Sequence, residues 1–416
     1  MVNGVMHAGT VSLTAIAEAV GTPSYVYSAP DIATQFQQLT TDLKGLNHRI
    51  CYAVKANSNL SVLRSIAELG ASFDIVSGGE LQRVVSSGAD PRSVVFSGVG
   101  KTTEEIDFAL KLEVGCFNVE STSELTRLGV RAALFDRVAP VAVRVNPDVD
   151  AETHPYISTG LKENKFGVPS TDALALYMTA QTHPNLRVSG VACHIGSQIL
   201  SIEPFSDALD GLLRLVDELD AKGIGVAHVD VGGGLGVAYQ DETALDTAAY
   251  GAMLRSKMAG RSQTIVIEPG RYLVANAGLL LTRVEYLKPA KAPGCKSFAV
   301  VDAAMNDLLR PSLYQAWHAV ERVIEASNDA AACVWDIVGP VCESGDFIAH
   351  ERTLSLAEGD LLAIRSAGAY GMVQSSNYNS RGRAAEVLVD DEGFRVVRSR
   401  ENINDQMDLE QIGLRP

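Results

Sequence analysis

Residues 49–77 read RICYAVKANSNLSVLRSIAELGASFDIVS, and this stretch decides the fold. It opens on a short apolar run, passes through the polar turn Asn57-Ser58-Asn59, continues at helical spacing, stops at Gly70 and starts a second apolar run at Phe73. That order is strand, turn, helix, strand. In the helical part Leu60, Leu63, Ile66, Ala67 and Leu69 fall near one face.

The same unit recurs outward from there. Candidate strands lie at 49–55, 73–77, 94–98, 116–121, 141–146, 188–194, 228–232 and 264–268. Helical stretches intervene, as where Leu209, Leu212, Leu213, Leu215, Val216 and Leu219 share a face. Eight strand–helix units in about 230 residues predict an α/β architecture, a (β/α)8 TIM-like barrel, here over residues 29–280.

Beyond residue 280 the pattern changes. Short β-rich runs at 280–287, 297–302, 334–338, 360–366, 385–389 and 394–397, with the turn signal Asp390-Asp391-Glu392-Gly393, predict a mainly β C-terminal domain over 281–416. The run Ser24-Tyr25-Val26-Tyr27 has no place in an eightfold count. Residues 1–28 are therefore expected to pack with the β domain, and Pro289 to Pro293 to act as a short linker.

Composition sets the outer bounds. With 416 residues, 46% of them apolar and 20% charged, the chain exceeds a small module and can bury a large core, which excludes a disordered or collagen-like protein. A net charge of −15 argues against nucleic-acid and anionic-membrane partners. The six cysteines include no C-x-x-C pair, so reduced thiols in a cytoplasmic protein are expected, with no metal site. Neither a targeting segment nor a membrane span is expected.

In a barrel of this kind chemistry sits at the C-terminal ends of the strands. The first candidate strand ends at Lys55, and a lysine taken out of water can acquire a lowered pKa and form a Schiff base, though a strand-end lysine can also simply reach solvent. The sixth ends Cys193-His194-Ile195-Gly196-Ser197, where His194 is either a hydrogen-bonded core residue or a ring able to stack on a planar cofactor. Gly232-Gly233-Gly234-Leu235-Gly236 follows the seventh, offering backbone N–H groups to an anion or merely a tight turn. Glu268-Pro269-Gly270-Arg271 closes the eighth with a carboxylate and a guanidinium, which could also form a structural ion pair. The tempting Gly98-Val99-Gly100-Lys101-Thr102 is not a nucleotide loop, because Val95 stands where its first glycine is needed. Lysine, histidine, glycine cradle and acid together are what a pyridoxal phosphate site requires.

These motifs, with Phe73-Asp74-Ile75-Val76-Ser77-Gly78-Gly79-Glu80, Cys116-Phe117-Asn118-Val119-Glu120-Ser121, Arg144-Val145-Asn146-Pro147 and Cys342-Glu343-Ser344-Gly345-Asp346, make the chain resemble the fold-type III pyridoxal-phosphate-dependent decarboxylases over nearly its whole length. Their architecture is alanine racemase-like, a barrel followed by a β-sandwich or barrel-like substrate and dimerisation domain. The resemblance implies that Lys55 holds the cofactor covalently and that His194 stacks on its ring. It further implies that Ser197, Gly234, Gly270 and Arg271 help hold the phosphate, with Tyr370 nearby, and that an ionised Glu268 faces the pyridine nitrogen.

The far end of the substrate is read from Met305-Asn306-Asp307-Leu308-Leu309-Arg310-Pro311-Ser312-Leu313-Tyr314. Diamine-forming relatives are expected to place acids there, whereas a guanidinium suits a carboxylate. Arg310 and Tyr314, with Arg271, are thus expected to bind a distal carboxylate, and Glu343 a distal ammonium, with Tyr370 also among the substrate-binding residues. The resemblance then implies meso-2,6-diaminopimelate as the substrate and L-lysine and carbon dioxide as products. It also implies a homodimer in which Cys342, as proton donor, and Glu343 serve the neighbouring subunit's active site. Decarboxylases of ornithine, arginine or carboxynorspermidine are the alternative. A racemase would need a tyrosine base opposite the lysine, and a non-catalytic cofactor carrier would have no use for Cys342 and Arg310.

Overall fold

A computed structural model describes residues 1–147, 165–325 and 331–411. The chain divides into two compact units, one of residues Ala33–Val237 and Thr243–Tyr272, the other of Met1–Ile32, Ala238–Glu242 and the chain from Leu273 onward.

The first unit is a closed barrel of eight parallel strands: His48–Ala53, Ser72–Ile75, Val94–Phe96, Cys116–Val119, Ala139–Asn146, Leu186–Ala192, His228–Asp230 and Thr264–Ile267. The register runs round the ring: Ala53 pairs with Asp74, Ile75 with Phe96, Phe96 with Phe117, and Val119 with Val143. Val143 then pairs with Val191, Ala192 with Asp230, Asp230 with Val266, and Ile267 with Ile50, which closes it. Small and branched side chains, Cys51, Val95, Cys116, Ala142, Ala192 and Val266, pack together and are wholly or almost wholly buried. A barrel interior filled in this way is a core rather than a channel.

Helices cover the barrel through apolar stripes. Glu203–Asp220 buries Phe205, Ala208, Leu209, Leu212, Leu213, Leu215, Val216 and Leu219, each large side chain contributing roughly 1.5–3 kcal/mol. Helix Leu60–Glu68 buries Val62, Leu63 and Ile66, whereas Leu60, expected on the same face, is 44% exposed. The cause is local: Asn59 caps the helix by accepting the Ser61 N–H at 2.9 Å, which makes Leu60 its first residue and turns it to the outer face.

The second unit is built on a nine-stranded sheet. Its central strand Gly278–Lys288 pairs antiparallel with Ser24–Ser28, Phe298–Val301 and Leu361–Ile364. Ser24–Ser28 also pairs in parallel with Ala385–Asp390. Helix Leu13–Val20, capped by Ser12, adds Leu13, Ile16 and Ala17 to a core with Val26, Leu279, Leu281, Val387 and Val389. Residues 289–293 are an exposed loop between two antiparallel strands of this unit, not a linker between units. Two strands of this sheet escaped the sequence reading, Val320–Arg322 and Phe347–Leu354. The second carries His350, Glu351 and Arg352 at its centre and is buried mainly in its first half, so apolar alternation is lost.

Candidate active site

The first barrel strand stops at Ala53, and a single 3-10 turn, Val54–Ala56, carries Lys55 past its end. The Lys55 ammonium donates to Asp74 Oδ2 at 3.0 Å. Asp74 is fully buried on the neighbouring strand, directly opposite Ala53, while the Lys55 side chain is 36% exposed. The anion is thus fixed in the wall and the amine faces outward from it. Asp74 had no role assigned from sequence; its signal is a carboxylate inside the apolar run 72–75, since an acid is buried there only with a partner.

His194 follows the sixth strand, and the Gly233 N–H donates to its Nδ1 at 3.2 Å, which leaves the ring proton on Nε2. Burial, and after it the charges of Arg144 and Lys55, holds the imidazole well below its ordinary pKa. A neutral ring with a fixed tautomer is suited to stacking and adds no charge beside Lys55.

The glycine run has a steric cause of its own. Gly234 adopts φ +108°, and a Cβ there would stand 2.7 Å from the Gly196 carbonyl oxygen. At Gly270 a Cβ would meet those of Ala56 at 2.9 Å and Ala53 at 3.2 Å, crowding the two residues that flank the Val54–Lys55 step. Arg271, buried at the start of the short helix Arg271–Val274, donates through Nη2 to Ser197 Oγ at 3.0 Å. Ser197, Gly234, Gly270 and Arg271 therefore come from the loops after strands six, seven and eight, where barrels commonly bind phosphate.

Glu268 ends the eighth strand. Its backbone N–H donates to the Gly232 carbonyl at 2.8 Å, and its side-chain Oε1, buried, has no hydrogen-bond partner among the described residues. Its other polar interaction is a side-chain hydrogen bond with Asp230. Asp230 in turn accepts the Gly232 N–H at 2.9 Å and the Asn118 amide at 3.3 Å. Burial, followed by the Asp230 and Asp74 charges, pushes Glu268 well above the usual carboxylate range, with Lys55 opposing. Burial also raises Asp230, to about 6. Its protein neighbours thus favour the neutral form, and a cation opposite Oε1 would favour the ionised one. Asp230 and Asn118 were not found from sequence, although each is a polar residue inside an apolar strand.

Pyridoxal phosphate fits this set. The unsatisfied buried Glu268 Oε1 matches a pyridine nitrogen, the Lys55 amine an aldehyde, the neutral His194 a ring face, and the Arg271 and glycine loops a phosphate.

The remaining expected residues lie in the β unit. Arg310 begins and Tyr314 ends the helix Arg310–Tyr314. Arg310 is buried, and its Nη1 meets His318 Nε2 at 2.9 Å; the Gln374 amide donates to the Tyr314 hydroxyl at 3.4 Å. Tyr370 sits at φ +56° in the bend after strand Leu361–Ile364. Cys342 and Glu343 are exposed at the tip of a loop between Cys333–Val338 and Phe347–Leu354. Buried Asp346 secures that loop by accepting the Val341 N–H at 2.7 Å and the Met305 N–H at 2.6 Å. The Cys342 N–H donates to Asn379 Oδ1 at 2.8 Å. A secured loop with an exposed tip is the result.

Lys101, from the nucleotide-loop lookalike, is a structural clasp. Buried, it donates to the Gly98 and Asn118 carbonyls at 2.8 Å each and to Glu124 at 2.7 Å.

A barrel whose strand ends present Lys55, a neutral histidine and an unsatisfied buried acid is that of a pyridoxal phosphate enzyme. Residues 29–275 match the family model described as pyridoxal-dependent decarboxylase, pyridoxal binding domain. The diaminopimelate decarboxylase of Pseudomonas aeruginosa is 58% identical over 395 residues, covering 95% of this chain and 94% of that one. That of Neisseria meningitidis serogroup B is 52% identical over 392 residues, 94% of each. The crystal structure of diaminopimelate decarboxylase from Helicobacter pylori complexed with L-lysine superposes with a TM-score of 0.92 at 42% identity, over 96% of this chain and 99% of that one. The chain belongs to the pyridoxal-dependent decarboxylases and, among them, to the diaminopimelate decarboxylase family.

Proposed function

We propose that the protein decarboxylates meso-2,6-diaminopimelate to L-lysine and carbon dioxide, the last step of lysine biosynthesis, with pyridoxal phosphate as cofactor. The observation that carries the reading is the buried, unpartnered Glu268 Oε1 in a barrel mouth that also holds Lys55 and His194. Relatives named diaminopimelate decarboxylase, one of them bound to L-lysine, support the choice of substrate.

When bound, the cofactor supplies an electron sink for the pair left behind as carbon dioxide departs. Lys55 is its covalent anchor, and Asp74 holds Nζ in place before the cofactor arrives. His194 would lie against the ring without adding charge. Glu268 would face the pyridine nitrogen, and a positive charge there would offset the burial that otherwise keeps this acid neutral. Ser197, Gly234, Gly270, Arg271 and Tyr370 hold the phosphate end.

Substrate residues follow the same logic. Arg310 and Tyr314 bind the distal carboxylate, with Arg271 a second cation, while Glu343 pairs with the distal ammonium and Tyr370 also contacts the substrate. Cys342 gives its thiol proton to the carbon that has lost carbon dioxide and recovers one from water. Cys342 and Glu343 act in the neighbouring subunit of a homodimer, which their exposure on a secured loop supports. Among the described residues no helix is long and apolar enough to cross a membrane, and we place the enzyme in the cytoplasm.

The test is to incubate purified enzyme and pyridoxal phosphate separately with meso-diaminopimelate, ornithine, arginine and carboxynorspermidine. Lysine and carbon dioxide in equal amounts from the first alone is the expected result. Turnover confined to another substrate would overturn the substrate assignment and leave the fold and cofactor site intact.

A further inference from the structure

Arg310 is held in a cluster that no motif announced. His318 is completely buried; its Nε2 meets Arg310 Nη1 at 2.9 Å and its Nδ1 meets the Arg365 carbonyl oxygen at 2.8 Å. A carbonyl can only accept and a guanidinium can only donate, so Nδ1 carries the proton and Nε2 presents its lone pair to Arg310. Both ring nitrogens are thereby committed in the neutral form. On another side, the Arg310 guanidinium carbon lies 4.7 Å from the Tyr239 ring centroid, a cation–π contact. Tyr239 meets the His318 ring edge-on, at 5.6 Å and 81°.

The support is itself fixed. The His318 carbonyl accepts from Arg352 Nη2 at 3.0 Å, the Ala319 carbonyl accepts the Arg365 N–H at 2.9 Å, and the Arg352 guanidinium lies over Trp317 at 4.6 Å. The imidazole is thus tied to Arg365 through its ring and through the adjacent backbone. A carboxylate in the place of Nε2 would neutralise the guanidinium it oriented. A neutral imidazole and an aromatic face orient it without themselves adding a negative charge.

We propose that His318, with Tyr239, is a positioning residue for Arg310 and so sets the affinity of the enzyme for the distal carboxylate of its substrate. The inference rests on the reading above that Arg310 binds that carboxylate. It assigns neither His318 nor Tyr239 a part in bond breaking, so their effect belongs in binding and not in turnover.

The experiment uses holoenzyme variants His318→Ala, His318→Gln, Tyr239→Leu and Arg310→Ala. Steady-state kinetics on meso-diaminopimelate are joined to titration with L-lysine, followed by the visible absorption of the bound cofactor. His318→Ala should raise KM and the L-lysine dissociation constant about tenfold while kcat stays within about twofold, the size expected for one lost hydrogen bond to a charged group. Glutamine carries a carbonyl acceptor at about the reach of Nε2, so His318→Gln should recover most of the affinity, which general loosening of the fold would not allow. Tyr239→Leu should weaken L-lysine binding about threefold. If His318→Ala fails to fold, the Gln and Leu variants decide: wild-type L-lysine affinity in Tyr239→Leu, with a loss in His318→Gln as large in kcat as in KM, overturns the proposal. If Arg310→Ala leaves L-lysine binding unchanged, the distal-carboxylate reading fails. If Arg310→Ala weakens it and His318→Ala does not, only the positioning role fails.

Discussion

Lys55 Nζ and Asp74 Oδ2 lie 3.0 Å apart across two neighbouring barrel strands, the carboxylate fully buried and the amine partly open. The pairing is short, local and parallel-strand in origin, because Ala53 and Asp74 are direct partners and Lys55 sits on the turn just beyond. Changing Asp74→Asn keeps the shape and removes the charge. The amine then loses its tether, and we expect roughly a tenfold fall in kcat/KM together with weaker cofactor retention, read by dialysis and cofactor absorption.

Glu268 yields a prediction with opposite signs in two states. Its carboxyl is raised well above the usual range in the folded protein, and Asp230 is raised to about 6. The folded chain therefore binds more protons than the unfolded chain over the window that begins near the ordinary carboxylate pKa. Stability from these groups is present below that pKa and is lost as pH rises through the folded values. Glu268→Gln removes the loss. The cofactor-free variant should accordingly melt higher than the cofactor-free wild type at pH 7 to 8 and no higher at about pH 4, while its turnover with cofactor falls by an order of magnitude or more. Thermal melts at both pH values with kinetics at pH 7.5 check this.

Much of the barrel could be read from residues 49–77 and their recurrences, because parallel strands buried on both faces appear as short apolar runs between amphipathic helices. Lys55, His194, Glu268 and Arg271 were legible for the same reason: a polar residue at the end of such a run stands out. Asp74, Asp230 and Asn118 were less so, since each lies inside its run and its role depends on a partner from another strand. His318 and Tyr239 lay hidden among ordinary loop residues, their significance arising only from proximity to Arg310. Phe347–Leu354 was missed because its charged half faces solvent and breaks alternation.

The proposed sharing of active sites makes a quantitative prediction. Lys55→Ala and Cys342→Ala should each be nearly inactive alone. Mixed in equal amounts after subunit exchange, half the dimers are mixed and each regains one intact site, so activity should recover to about a quarter of wild type. No recovery, with exchange verified by mass, would argue against sharing.

Lys101 should matter for stability and not for chemistry. Its ammonium pairs with Glu124 and caps two carbonyls in a buried position, so Lys101→Ala leaves a buried carboxylate unpaired. A loss of about 3–5 kcal/mol in urea unfolding is expected. ATP should protect neither wild type nor variant from denaturation, in keeping with a clasp and not a nucleotide loop.

The most direct test of the central claim, that the cluster around Lys55 is the cofactor site, is chemical. Holoenzyme is reduced with borohydride, digested, and the pyridoxyl group is located by mass spectrometry. One pyridoxyl group per chain on the peptide containing Lys55 is the predicted result; a label on any other lysine, or none while activity is lost, would contradict it.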